Sequence, residues 1–471
     1  MDTSTQSSRH VGVTLMPEYL QCEGIKAVLD RLERLGVTAV TTMPSVAAEA
    51  PAGQGSREPP LDAGAGSVRV LDRPLWGNRA LHMVTAPSFV PSRERYAGLT
   101  YQPPEPTSLT AAEGPVVTQF IAAAKRRGLK VFLQVMAAIP PCYRVQFGGP
   151  IDADRPMLPG GQPLPARVDN NASLAAAAVR DYVRVLIDDL CAAYPEVDGF
   201  RFDWPEYPPY HLLSLLADYN PQVRPFAAAL GIDFDQLEAK IGGLHQQLIE
   251  GALPASLLEG VGFDGLLDRL TAHTPALSDH LALRQHLVED YARFLGDCVE
   301  QSSGGRKQMF LQCFPPPWNR LSGFSPARLS GVADLIGVKF YTMHWPMMAR
   351  QYGDMIAGFS GVDADAATRA VYRLFIDPEA KDEQLESIAY PEPDEPHGID
   401  AQIIEQKFAE AQAGSASRLI AATHTYGPID DVCQRLAAAW RASGGRIEIN
   451  RYGYMSDDKI EAMAKVISAR G

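Results

Sequence analysis

Short apolar stretches rich in β-branched residues recur along the chain. Each is followed by a loop and then by a segment with apolar residues at three- and four-residue spacing. The short stretches predict strands at 10–16, 37–43, 130–136, 197–203, 308–313, 334–341, 418–424 and 445–450. The periodic segments predict helices, among them 24–35, 115–127, 173–193, 282–301, 429–442 and 457–468. Gly36 and Gly128 stand where a left-handed residue stops a helix before the next strand. Strand–helix alternation without hairpin signals implies a parallel sheet, and this number of strands suggests closure into an α/β fold of the (β/α)8, or TIM, type. An open doubly wound sheet would ask for a glycine-rich phosphate loop after the first strand, and none follows it.

This pattern makes residues 1–471 a single catalytic barrel with long insertions at 44–114, 137–171, 204–275 and 342–416. Many are rich in Pro and Gly, as in Pro103-Pro104-Glu105-Pro106 and Tyr390-Pro391-Glu392-Pro393. In a barrel all four follow strands, so they crowd the C-terminal face, where such folds put their chemistry.

Composition narrows the partners. A net charge of -13 opposes binding to nucleic acid and to anionic membrane surfaces. No run of the sequence reads as a secretory signal or a bilayer span. The six cysteines are scattered without metal-ligand spacing, which is the pattern of reduced thiols in a cytoplasmic protein. No carboxylate–histidine cluster has metal spacing, so no metal or other cofactor is expected. The last helix should open with Ser456 as its cap and Asp457-Asp458 in its first turn, which disfavours a bound phosphate.

The densest chemistry lies in Asp198-Gly199-Phe200-Arg201-Phe202-Asp203-Trp204-Pro205-Glu206-Tyr207-Pro208. Alternate side chains of a strand share a face, so Arg201 and Asp203 point inward and Phe200 and Phe202 toward the helices. An arginine beside a carboxylate favours the charged form, which suits a nucleophile or the stabiliser of an oxocarbenium-like transition state. The opposing reading is a buried ion pair that closes the barrel top. Glu206, Glu18 and Glu448 are candidates for the second carboxyl group; for Glu448 the alternative is a buried partner for an inward cation, and for Glu18 a solvated loop position. Gln134, Gln312, Lys339, Tyr341, His424 and Asn450 form a ring of inward polar residues near strand ends, where ligand hydroxyls would sit. Trp204, Tyr207, His344, Trp345 and Tyr452 lie just beyond the same ends, and aromatic faces there suit stacking on sugar rings.

Gly199-Phe200-Arg201-Phe202-Asp203 resembles the fourth-strand motif of the alpha-amylase superfamily. The run on to Tyr207-Pro208 resembles glycoside-hydrolase-like barrel proteins in which an Asp-rich strand leads into an aromatic–proline loop. Ala124-Lys125-Arg126-Arg127-Gly128-Leu129-Lys130-Val131 is similar to their approach to the third strand. The resemblance implies a hydrolase acting on a small carbohydrate or glycoside, with Asp203 as nucleophile and Arg201 supporting it. It also has limits: the fifth strand ends Gln312-Cys313-Phe314, where an amylase carries its acid, and Thr423-His424-Thr425-Tyr426 replaces the His-Asp pair after the seventh. Two alternatives stand beside this one. Lys339 at interior parity on the sixth strand suits a Schiff-base aldolase or lyase, and the missing fifth-strand glutamate suits a carbohydrate-binding barrel without catalysis.

Overall fold

In a computed structural model, described here for residues 9–61, 69–164, 171–257, 262–381, 385 and 388–469, eight strands close a parallel barrel. They are β1 (His10–Thr14), β2 (Ala39–Thr42), β6 (Lys130–Met136), β7 (Gly199–Asp203), β8 (Gln308–Cys313), β9 (Leu335–Phe340), β10 (Ile420–His424) and β11 (Arg446–Asn450). Neighbours around the ring follow chain order, and β11 closes on β1. This is the (β/α)8 architecture, and each strand falls within its expected stretch.

Helix ends follow the local chemistry. Gly36 is left-handed and caps Ile25–Leu35, and the Ser456 hydroxyl accepts from the Lys459 N–H at the start of Asp457–Ser468. Buried Val, Leu and Ile on these helices pack against the outward faces of the strands, including Phe200 and Phe202.

The barrel interior is layered. Ala39, Phe132, Phe310 and Ile420 form a small apolar cluster of their own at the N-terminal end. Above it lies a charged layer. Arg201 is paired with Glu448 at 2.7 Å, and both side chains are 1% exposed. The Arg201 guanidinium also donates to Thr14 Oγ1 at 2.8 Å and to Gln134 Oε1. Glu448 further accepts from Thr41 Oγ1 at 3.2 Å and meets His10 Nε2 at 3.2 Å. Gly12 makes room for this layer, because a Cβ there would collide with the Glu448 carboxylate. Arg201 therefore reaches down and across the barrel to Glu448, and its expected partner Asp203 is held by another cation.

The insertions carry structure of their own. Within 44–114, β3 (Ser45–Glu49), β4 (Ser56–Glu58) and β5 (Leu81–Pro87) form an antiparallel sheet in the order β3-β5-β4, which the sequence reading took as loop. Helices Phe234–Ile249, His344–Ser360 and Ala364–Phe375 likewise lie in segments read as loops. Among the described residues, no helix is long and apolar enough to cross a membrane.

Candidate active site

At the C-terminal mouth of the barrel a cavity opens to solvent, with about 930 Å³ of atom-free space counted together with its open mouth. Strand parity delivers its floor: Thr14, Gln134, Met136, Asp203, Lys339 and His424 all end up on it. Asp203 is the last residue of β7, with its side chain 18% exposed to the cavity. Its Oδ1 lies 2.6 Å from Lys339 Nζ and accepts from the Trp204 N–H at 3.1 Å. Trp204 has a left-handed backbone (φ 54°), an unfavourable conformation for a bulky residue. The Lys339 side chain is 2% exposed, and its ammonium lies over the rings of Phe314 (4.8 Å) and Trp204 (5.6 Å). The Asp203 charge is thus fixed by one ammonium and one backbone dipole while still facing open space.

The walls come from the loops. Tyr210 and His344 join through the tyrosine hydroxyl and Nδ1 at 3.1 Å, and both border the cavity. His424 Nδ1 accepts from the Tyr426 N–H at 3.0 Å, which leaves Nε2 to carry the ring proton. Burial, with the positive charge of Arg69 adding to it, pushes His424 well below the usual histidine range, so the ring is a neutral donor at physiological pH. Tyr341 packs edge-on to His424 and Asn450 completes that side.

The cavity is also bordered by Glu58 at the end of β4, Arg69, Arg144, Gln146 and Arg451. Glu58 pairs with Arg451 and accepts from Gln146 Nε2 at 3.1 Å. These residues escaped the sequence reading. Arg451 alone carried a positional signal, since it directly follows the eighth strand; the others lie inside insertions.

Of the residues singled out from sequence, Asp203, Trp204, Gln134, Lys339, Tyr341 and His344 border the cavity, as do His424 and Asn450. The rest stand elsewhere. Arg201 and Glu448 form the layer below the floor. Glu18 is buried rather than solvated and holds Arg144 Nη2 at 2.6 Å from behind. Gln312 is fully buried in the interior, with neither amide atom hydrogen-bonded. Tyr207 donates to Asp218 at 3.1 Å beneath the Arg284 guanidinium, Trp345 packs on Trp318, and Tyr452 donates to Glu23 at 2.7 Å.

Glu206 is fully buried beside the site. Its Oε1 accepts from the Phe314 N–H at 2.9 Å, and its Oε2 meets the Ser322 hydroxyl. Burial raises its carboxyl to about 7, against a smaller opposing pull from Lys339. Ser322 Oγ also lies 3.0 Å from the Asn319 carbonyl, and a hydroxyl has one proton. Every group is satisfied when protonated Glu206 donates to Ser322 and Ser322 donates to Asn319.

No family model matches the sequence, and no curated protein matches it. Solved structures do. A beta-galactosidase from the psychrophilic Marinomonas ef1 superposes with TM-score 0.51 at 11% identity, over 98% of this chain and 59% of that one. The catalytic domain of a beta-amylase from Paenibacillus polymyxa gives TM-score 0.49 at 10% identity over 98% of each chain. A class V chitinase from Pseudomonas fluorescens Pf-5 gives 0.41 at 9% identity over 98% of this chain and 99% of that one. The chain spans well under two thirds of the beta-galactosidase. The fold is a (β/α)8 barrel with distant structural similarity to glycoside hydrolases.

Proposed function

We propose that residues 1–471 act as one catalytic barrel that cleaves or transfers a glycosidic bond in this cavity, with Asp203 at the reacting centre. The observation that carries this is the Asp203 carboxylate, fixed by Lys339 and the Trp204 N–H, facing a cavity that has a second carboxylate, Glu58, on its wall. Trp204, Tyr210 and Tyr341 offer ring faces to a sugar, while Gln134, His424 and Asn450 offer hydrogen bonds to its hydroxyls. Asp203 attacks the anomeric carbon or stabilises its positive charge, while a second acid gives the leaving oxygen its proton. Glu206, Glu18 and Glu448 do not border the cavity; Glu58 does, and an ion pair with Arg451 is the arrangement of a base that activates water rather than of a proton donor.

The test uses aryl glycosides. Asp203→Asn should lower the rate by about 10²–10⁴-fold. Glu58→Gln should lower turnover on poor and on dinitrophenyl leaving groups alike, because activating the water does not depend on the leaving group. Full activity of Asp203→Asn refutes the proposal, and sugar binding unchanged in that variant without any turnover favours a binding barrel.

One observation favours a second reading. Lys339 is a buried amine at a strand end, caged by Trp204 and Phe314 beside a carboxylate that could shuttle protons. Borohydride trapping of a carbonyl adduct on Lys339 would establish a Schiff-base enzyme instead.

A further inference from the structure

Three methionines follow one another around the rim of the barrel. Thr14, Thr41 and Gln134 point into the interior, where they bond Arg201 and Glu448. Met16, Met43 and Met136 each stand two residues further along, with the same parity, and all three border the cavity. Their strands, β1, β2 and β6, are neighbours in the ring. We infer that this thioether arc is the subsite for an apolar aglycone, an aromatic ring attached through the leaving oxygen; this rests on the glycosidase reading and specifies its substrate class.

The arc lies where a leaving group would lie. Met136 pairs in register with Asp203, so it begins beside the reacting carboxylate and runs away from it along the rim. Val145, from the insertion after β6, and Pro60, from the insertion after β2, add carbon to the same cavity. The charged groups carried by those insertions are engaged within the protein: Glu58 with Arg451, Arg144 with Glu18, and Arg69 with the Tyr454 hydroxyl. A second sugar laid on the methionines would give up water from its hydroxyls and gain little in return. An aryl group loses nothing of the kind, and flexible, polarizable thioethers mould to its ring with favourable sulfur–aromatic contacts. The two sides of the barrel differ in this respect. Across the ring from β2 and β6 stand β9 and β10, which bring Lys339 and His424 to the cavity. The His424 Nε2–H there, with Asn450 on the next strand, suits the hydroxyls of the sugar itself. The cavity is thus polar on one side and built of carbon and sulfur on the other, which matches a sugar joined to an apolar group better than it matches a chain of sugars.

The experiment presents each of a panel of common monosaccharides in three forms, the 2-naphthyl glycoside, the methyl glycoside and the disaccharide. Affinities are measured by calorimetry with Asp203→Asn, so that leaving-group reactivity does not enter. For a sugar that binds, the naphthyl form should bind at least about tenfold tighter than either of the others. In the same background Met43→Gln, which puts an amide of similar length into the arc, should cut that advantage about threefold or more, and Met43→Leu should keep most of it. Binding of no naphthyl glycoside, a disaccharide that binds as well as the naphthyl form, or an undiminished advantage in folded Met43→Gln overturns the subsite. The first two comparisons need no variant in the arc, so they stand even where Met43→Gln does not fold. Turnover by the wild type separates the two claims. A naphthyl glycoside bound through the arc but never cleaved sinks catalysis and leaves the subsite standing, and a cleaved disaccharide without preference for the naphthyl form does the reverse.

Discussion

Glu206→Gln isolates the protonation of a single buried carboxyl group. Below pH 4.5 the folded and unfolded chains both hold this proton. Between 4.5 and about 7 only the folded chain holds it, so stability falls as pH rises through that window. At 1.36 kcal/mol per tenfold change in proton affinity, the whole fall is roughly 3 kcal/mol, and it levels off above pH 7. Full burial means that solvent screening does not reduce it much. Glutamine has the shape of the neutral acid: its carbonyl can accept from the Phe314 N–H and its amide can donate to Ser322 Oγ. The variant should therefore match wild type near pH 4.5 and exceed it by about 3 kcal/mol at pH 8. Urea unfolding of both proteins at pH 5, 6, 7 and 8 measures this, because every other titrating group cancels in the difference. A difference that stays constant across the series refutes a neutral Glu206.

Glu448→Gln strands the Arg201 guanidinium without its counter-ion, 1% exposed, and should cost about 3–5 kcal/mol, read as a lower denaturation midpoint. An unchanged midpoint would mean that the Thr14 and Gln134 contacts suffice. Gly12→Ala pushes a methyl group into the Glu448 carboxylate and the His10 ring, and overpacking of this kind costs about 1–3 kcal/mol. Its destabilisation should shrink when combined with Glu448→Ala, which empties the space, and simple additivity of the two would contradict the collision.

The barrel was legible because each strand announces itself locally. Stretches such as Lys130–Met136 and Arg446–Asn450 are short, β-branched and followed by helical periodicity, and glycines such as Gly36 mark the returns. Asp203 was placed correctly at a strand end by parity alone. Parity showed Glu448 as a possible buried partner for an inward cation; that the cation is Arg201 was not legible, because the two are 247 residues apart and adjacent only after the ring closes. The β3–β5–β4 sheet was missed because Ser56-Arg57-Glu58 is too short and polar to show alternation, and with it went Glu58. The recurrent aromatics misled for a related reason. Trp345 and Tyr452 follow strand ends as cavity residues would, yet they are buried against other side chains and do not border the cavity. Position along the chain shows which end of the barrel a ring occupies, and the neighbouring loops decide which way it faces.

The charged layer beneath the floor explains why an arginine stands two residues before Asp203 although it does not hold that carboxylate. Its guanidinium reaches three acceptors on three strands: Thr14 on β1, Gln134 on β6 and Glu448 on β11. A planar fork with fixed donors can do this at once, whereas an ammonium on a flexible stem cannot hold the same geometry. Thr14 and Gln134 are also floor residues of the cavity. Arg201 thereby holds two side chains that border the cavity, while it is not itself part of the lining. The Glu448 charge keeps that cation compensated, and the ionic pair on the cavity floor is a different one, Asp203 with Lys339. Two pairs of opposite charge, one sealed beneath the floor and one facing the cavity, separate the charge that braces the barrel from the charge that meets the void.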